Sequence, residues 1–254
     1  MTAADDCSVA NHDAGDAAGL EVGDKVDDDG GLAMIERFEA IFLDMDGTLV
    51  DTEELWFNAE RQVAARFGAA VPPEAATELH GLDTEDLVRR LCQRYSLATD
   101  PETFVSELLA EVLTRLPTAS ARDGAASLVE RLAAAASPRA IVSNSPCRMV
   151  SATLTPHTWA GLLPRRFSVD EVTDGKPQPD LYLHAARALA TPPQRCLALE
   201  DSPTGALAAV RAGMTCIAVT FEQRPPEAFH ELTGHVVPSL EAAERLLFGR
   251  SRYP

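Results

Sequence analysis

The sequence predicts an α/β fold, a doubly wound parallel sheet with an all-helical cap inserted after the first strand. Three observations predict it. Short apolar runs, several of them β-branched, alternate with helical patterns over most of the chain, the signature of a parallel sheet buried on both faces. Between Asp51 and Ser120 that alternation stops and only helical segments occur. Several apolar runs end on acidic or hydroxyl residues, and the C-terminal edge of a parallel sheet is where ligands bind.

Residues 1–33 are rich in Asp, Ala and Gly and carry nine acids against one base, Lys25. A segment of that composition buries too little apolar surface to offset its ordering entropy, so it is expected to be a disordered acidic tail. The first strand is Phe38 to Leu43, stopping at Asp44. Four helices are expected next. They are Glu53–Phe67 ended by Gly68, Pro73–His80 ended by Gly81, Thr84–Tyr95 opened by Asp83, and Pro101–Leu116 opened by Asp100 and stopped by Pro117. Asp caps, Pro in the first turn and Gly just past the end are ordinary helix punctuation. These helices make up a cap, residues 53–120. The sheet then resumes with Ala140–Val142, Phe167–Val169, Cys196–Leu199, Cys216–Val219 and Val236–Val237. The α/β core is therefore expected to span residues 34–52 and 121–254.

Composition narrows the function. A chain of 254 residues suffices for one large domain carrying an insertion, and 46% apolar residues is ordinary for a globular protein. Of the net charge of −17, the tail supplies −8. No basic stripe remains to track a nucleic-acid backbone. No run of about 18 apolar residues is present to span a membrane, and the N-terminus resembles no secretory signal. The five cysteines (Cys7, Cys92, Cys147, Cys196, Cys216) form no C-x-x-C pair, which argues against a disulfide framework or a zinc site. The expectation is a cytoplasmic monomer or weak homo-oligomer acting on a small molecule, with neither nucleic acid nor membrane as partner.

The chemistry lies at the strand ends. The first strand runs into Asp44-Met45-Asp46-Gly47-Thr48, a later one into Ser143-Asn144-Ser145, and another into Glu200-Asp201-Ser202. Gly175-Lys176-Pro177 is read as opening a helix that continues through Asp180. A parallel sheet would bring Asp44, Asp46, Ser143, Glu200 and Asp201 to one edge. Four carboxylates gathered there repel one another unless a cation sits among them, and hard oxygen donors without Cys or His favour Mg²⁺. In an Asp-x-Asp pair one carboxylate can act as nucleophile and the other as general acid or base. Of 22 basic residues 20 are arginine, and the lysine outside the tail is Lys176. Its compact ammonium does what a planar guanidinium cannot, and it is read as a phosphate contact. Glu200-Asp201-Ser202-Pro203 also reads as a helix start, with Ser202 as its cap. Trp56, near the core–cap junction, is read as a packing residue. His80, just before Gly81, stands equally as a substrate contact or a helix end.

In that order, Asp44-Met45-Asp46-Gly47-Thr48, Ser143-Asn144, Lys176-Pro177 and Glu200-Asp201-Ser202 resemble the four motifs of the haloacid-dehalogenase-like (HAD) superfamily. The nearest branch holds sugar-phosphate phosphatases and β-phosphoglucomutases with a helical cap. The resemblance runs from residue 38 to about residue 222. It implies a Rossmann-like HAD core, an Asp44 that attacks phosphorus to form an aspartyl-phosphate, and an Asp46 that serves as general acid and then base. It further implies Mg²⁺ held by Asp44, the Asp46 carbonyl and Asp201, with Glu200 in or near the shell. Thr48 would steady Asp46, while Ser143, Asn144 and Lys176 would hold the phosphoryl group; His80 and Gly81 stand as candidate substrate contacts by their place in the cap alone. Dehalogenases of the superfamily lack the second acid, so Asp46 implies phosphoryl transfer. Mutases are the rival. They carry a histidine where this chain has Trp56, and an arginine in the cap segment where Gly81-Leu82-Asp83-Thr84 offers Thr84. Hydrolysis of a small phosphate monoester is thus the expected reaction, with a phosphosugar mutase and a non-catalytic phosphometabolite-binding module as alternatives.

Overall fold

The structure, a computed structural model, describes residues 33–72, 84–95, 97–221 and 224–249. Its strands are β1 (Ala40–Leu43), β2 (Val50–Asp51), β3 (Ser120–Ala121), β4 (Arg139–Ser143), β5 (Arg165–Ser168), β6 (Cys196–Glu200), β7 (Thr215–Val219) and β8 (His235–Val237). Six of them form one sheet in the order β5-β4-β1-β6-β7-β8, with every neighbouring pair parallel. The chain leaves β1 toward β4 and β5, then returns to the other side of β1 for β6 onward. The strand order therefore reverses beside β1, and an open parallel sheet binds ligands at such a reversal.

The strands are apolar on both faces because helices cover both. In β1 all four residues are fully buried. Ile41 and Leu43 share one face with Leu197, Leu199, Ile217 and Val219, and pack with Leu128, Leu132 and Leu247 from helices α4 (Ala125–Ala134) and α8 (Leu240–Phe248). Ala40 and Phe42 share the other with Ala140, Ala198 and Ala218, against α6 (Asp180–Ala188) and α7 (Pro203–Arg211). Small residues on that second face let the helices approach closely, whereas the first is filled by branched side chains. Each of those larger side chains contributes roughly 1.5–3 kcal/mol on burial. A one-residue slip would exchange the two faces, so the packing sets the register.

Between β2 and β3 the described residues form only helical and irregular structure, with α1 (Glu53–Arg66), α2 (Thr84–Tyr95) and α3 (Pro101–Arg115). The Asp100 side chain accepts a bond from Thr103 N at 2.9 Å to open α3, and Gly68 follows α1 with φ +85°. Val63, Leu91, Phe104, Leu108 and Val112 form a separate apolar cluster, which Met149 of α5 (Cys147–Leu154) joins from the core side. Trp56 packs against this cluster, as the sequence reading expected. Val50 and Asp51 pair antiparallel with Ala121 and Ser120, tying together the two crossings between insertion and core. Two-residue strands are too short to show an alternating pattern, and the sequence reading has none there.

Two elements differ from expectation. Gly175-Lys176-Pro177 does not open a helix, since α6 starts at Asp180. Lys176 and Gln178 each precede a proline, which disfavours helical backbone. The strand expected at Phe167–Val169 is β5, Arg165–Ser168, where two arginines hid its start. Among the described residues Cys92, Cys196 and Cys216 are free. The expected tail, the expected helix Pro73–His80, and His80 and Gly81 lie outside the described residues, save Ala33 at the end of the tail. Among the described residues no helix is long and apolar enough to cross a membrane.

Candidate active site

Asp44 follows β1 directly, and its N–H still bonds Leu199 O at 3.0 Å, so it leaves the sheet in register with β6. The chain then reverses at Gly47, whose φ of +81° suits glycine. A side chain at Gly47 would also collide with the Asp201 carboxylate. Gly205, in the first turn of α7, gives way in the same manner to the Glu200 carboxylate. Ser202 caps α7 by accepting the Gly205 N–H at 3.0 Å, so the chain turns while Glu200 and Asp201 stay at the sheet edge.

Of the five side chains expected to converge, three carboxylates gather in one cluster. Asp44, Glu200 and Asp201 each bring a carboxylate oxygen within 4.8 Å of the others, and all three side chains are buried. Lys176 Nζ donates to Asp44 Oδ1 at 2.6 Å, Glu200 Oε1 at 2.6 Å and Val142 O at 2.7 Å. Thr48 Oγ1 lies 3.0 Å from Asp44 Oδ2 and 2.9 Å from Asp201 Oδ1. Its single proton is shared between the two, so Thr48 steadies these carboxylates, whereas the sequence reading had it steadying Asp46. Asp201 Oδ2 also accepts from Arg224 at 3.5 Å, and Arg224 reaches Glu53 Oε1 at 3.3 Å.

Asp46 has other partners. Thr52 donates to its Oδ1 at 3.0 Å, while Ser143 and Ser145 donate to its Oδ2 at 3.2 and 2.8 Å. Its side chain stands apart from the carboxylate cluster, which leaves its main-chain carbonyl as the only route to the metal role expected of it. Ser143, expected on a phosphoryl oxygen, is thus engaged with Asp46. Asn144 clasps the Lys176 main chain, donating to its carbonyl at 2.9 Å and accepting its N–H at 2.8 Å. That bond anchors the loop carrying Lys176 rather than presenting the amide to a ligand.

Burial dominates the electrostatics. It raises the Asp46 pKa, reinforced by the Asp44 charge, and the three hydroxyls oppose it only in part. Burial, with repulsion from Asp44 and Asp201, pushes Glu200 up to about 8 against the pull of Lys176. Burial and Asp44 push Asp201 up to about 6, opposed by Arg224 and Thr48. For Lys176 burial alone would lower the value, but Asp44 and Glu200 outweigh it and hold the ammonium charged. These raised acids have unmet negative charge between them, and their donors are hard oxygens without a sulfur or imidazole. That set fits a hard divalent cation such as Mg²⁺.

Sequence reasoning did not single out Thr52, Ser145, Tyr182 or Arg224. Ser145 carried a signal, since it lies two residues beyond Ser143 in the same strand-end run. Arg224 is one arginine among 20 and carried none.

Comparison with known proteins shows the family and the fold. A family model described as Haloacid dehalogenase-like hydrolase matches residues 41–219. A probable pseudouridine-5'-phosphatase of Drosophila melanogaster is 32% identical over 203 residues, 78% of this chain and 86% of that one. Hexitol phosphatase A of Escherichia coli is 34% identical over 194 residues, 72% of this chain and 83% of that one. Among solved structures, a HAD family hydrolase of Deinococcus radiodurans with bound phosphate and sodium superposes with a TM-score of 0.67 at 29% identity, covering 83% of this chain and 98% of that one.

Proposed function

The chain belongs to the haloacid dehalogenase-like hydrolase family, and from that premise we propose that it is a Mg²⁺-dependent phosphatase of small phosphate monoesters, sugar phosphates being the favoured class. The observation that carries the proposal is the division of labour between two aspartates two residues apart. Asp44 stands on the Lys176 ammonium within the carboxylate cluster, while Asp46 sits on three hydroxyls with its pKa raised. Carboxylates held in environments this different take different roles in one reaction.

In this reading the Asp44 carboxylate attacks phosphorus and the bond to the leaving oxygen breaks, giving an aspartyl-phosphate on Asp44. Asp46 gives its proton to the leaving oxygen. It then takes a proton from the water that attacks the aspartyl-phosphate, which regenerates Asp44 and releases phosphate. Asp44, Asp201 and the Asp46 carbonyl would hold the cation, with Glu200 beside them, and when bound it would offset charge on the phosphoryl oxygens. Lys176 donates to the Asp44 carboxylate and faces the incoming phosphoryl charge. Ser143 is free to pass from Asp46 to a phosphoryl oxygen once substrate enters. The helical insertion would serve as the cap that limits water, with His80 and Gly81 as its proposed substrate contacts.

The test is a panel of sugar, polyol and nucleoside monophosphates assayed for released phosphate with Mg²⁺. Turnover of several esters, lost on adding EDTA, is expected. Asp46→Asn should lower kcat by about 10²–10⁴-fold, the usual contribution of a positioned acid–base group. Turnover that survives EDTA would count against the proposal, as would bisphosphate-primed interconversion of sugar phosphates without net phosphate release.

A second expectation concerns pH. Glu200 and Asp201 have folded-state values of about 8 and about 6, above their ordinary values of about 4.3 and 3.9. The folded chain therefore keeps protons that the unfolded chain has released, and metal-free stability falls as pH rises through this range. A bound cation takes the place of those protons. At a hundred times Kd a ligand adds about 2.7 kcal/mol, or roughly 5–10 °C in Tm for a chain of this size. The Mg²⁺-induced rise in Tm should be larger near pH 8 than near pH 5.5 in differential scanning calorimetry. Equal rises at both pH values would contradict the assignment.

A further inference from the structure

Tyr182 sits in the first turn of α6, fully buried against the alanine-rich face of the sheet. A buried tyrosine needs a partner for its hydroxyl, since the polar group otherwise loses its hydration for nothing. Here the hydroxyl donates to Glu200 Oε1 at 2.6 Å, the same oxygen that accepts from Lys176 Nζ at 2.6 Å. The Tyr182 ring centroid also lies 5.1 Å from that ammonium. The reaction set out above makes no use of this residue.

Three acceptors aim the Lys176 ammonium: Asp44 Oδ1, Val142 O and Glu200 Oε1. An ammonium has three N–H donors, so all are engaged and their acceptors dictate where the charge points. Val142 O is fixed by the main chain of β4. Asp44 is fixed by β1 and by Thr48. Glu200 is the acceptor with the most freedom, because its carboxylate ends a longer side chain. Its other oxygen, Oε2, has a long bond of 3.4 Å from Ser202. Beside it lie Asp44 and Asp201, where a cation would draw the carboxylate away from Lys176. The short bond from Tyr182 opposes that rotation.

We propose that Tyr182 is a positioning residue of the reaction: its hydroxyl holds Glu200 Oε1 on Lys176 and so keeps the ammonium on the Asp44 nucleophile. The inference rests on the phosphatase reading, because turnover is its readout. Tyr182 touches neither substrate nor reacting atoms, so its loss acts on the chemical step more than on substrate binding. Tyr182→Phe keeps the ring under the ammonium and removes the hydroxyl alone.

Steady-state kinetics with p-nitrophenyl phosphate and Mg²⁺ test this in four proteins: parent, Tyr182→Phe, Glu200→Gln and the double variant. Small misplacement of a catalytic group costs up to about 10²-fold, so Tyr182→Phe is expected to lower kcat by about ten- to a hundredfold with KM within about twofold. Residues that act through one another are not additive. In the Glu200→Gln background the same substitution should therefore lower kcat by less than about twofold. Thermal unfolding of Tyr182→Phe should stay cooperative, which separates misplacement from misfolding. An active parent whose kcat is unmoved by Tyr182→Phe would overturn the inference, as would a full additional loss in the Glu200→Gln background or a change confined to KM. A parent inactive on every phosphate ester would instead overturn the phosphatase reading, and this role with it.

Discussion

Asp44→Asn is expected to reduce phosphate release by at least about 10⁴-fold, the scale seen when a covalent nucleophile is removed. The substitution is nearly isosteric, and the amide oxygen can still accept from Lys176 Nζ or from Thr48, the present partners of the carboxylate. What disappears is the negative charge and the attacking electron pair. Among the four acids Asp44, Asp46, Glu200 and Asp201, losing Asp44 also lessens repulsion, since its charge raises the pKa of each of the other three. The variant should accordingly be at least as stable as the parent without metal, and weaker in Mg²⁺ binding because one of the clustered oxygens is gone. Phosphate-release assays, Tm with EDTA, and Tm against Mg²⁺ concentration check the three parts. An Asp44→Asn protein that retains turnover would remove the nucleophile from the mechanism, whatever its stability.

Lys176→Met carries the largest expected effect on stability. The side chain is 4% exposed and holds the carboxylates of Asp44 and Glu200 together at 2.6 Å. Met fills most of the volume but leaves the Asp44 and Glu200 carboxyl groups and the Val142 carbonyl without their donor. Removing one partner of a buried ion pair destabilises by about 3–5 kcal/mol, on the order of 10 °C in Tm here. The loss should be recovered in part at lower pH, where Glu200 is protonated, and again in Lys176→Met/Glu200→Gln, where that charge is absent. Calorimetry of the three proteins with EDTA checks this. A Tm unchanged by Lys176→Met would mean that Lys176 does not neutralise these acids in solution.

Much of this site was legible in the sequence because a parallel sheet turns strand ends into neighbours. The runs ending at Asp44, Ser143 and Glu200 belong to β1, β4 and β6, which are adjacent in the sheet, so recognising three strand ends sufficed to bring the acids together. Lys176 was legible through composition, as the lysine outside the acidic N-terminal segment of an arginine-rich chain. Other features carried no comparable signal. Strands β2 and β3 are two residues each, and the arginines of β5 masked its start. Thr48 and Thr52 are both threonines just after the first strand, and nothing in their spacing says which one serves Asp46.

The sequence by itself determined the order of the acidic motifs, the layering of helices on a buried sheet, and the class of chemistry that four carboxylates and one lysine support. These are local properties, written in periodicity and in the residue that ends each apolar run. Only the tertiary structure decided the pairing. Thr48 reaches Asp201 across 153 positions of chain, Ser145 reaches Asp46 across 99, and Tyr182 shares an oxygen of Glu200 with Lys176. Hydrogen bonds form or fail over a few tenths of an ångström, a precision set by how the helices pack on the sheet and absent from any stretch of sequence read alone.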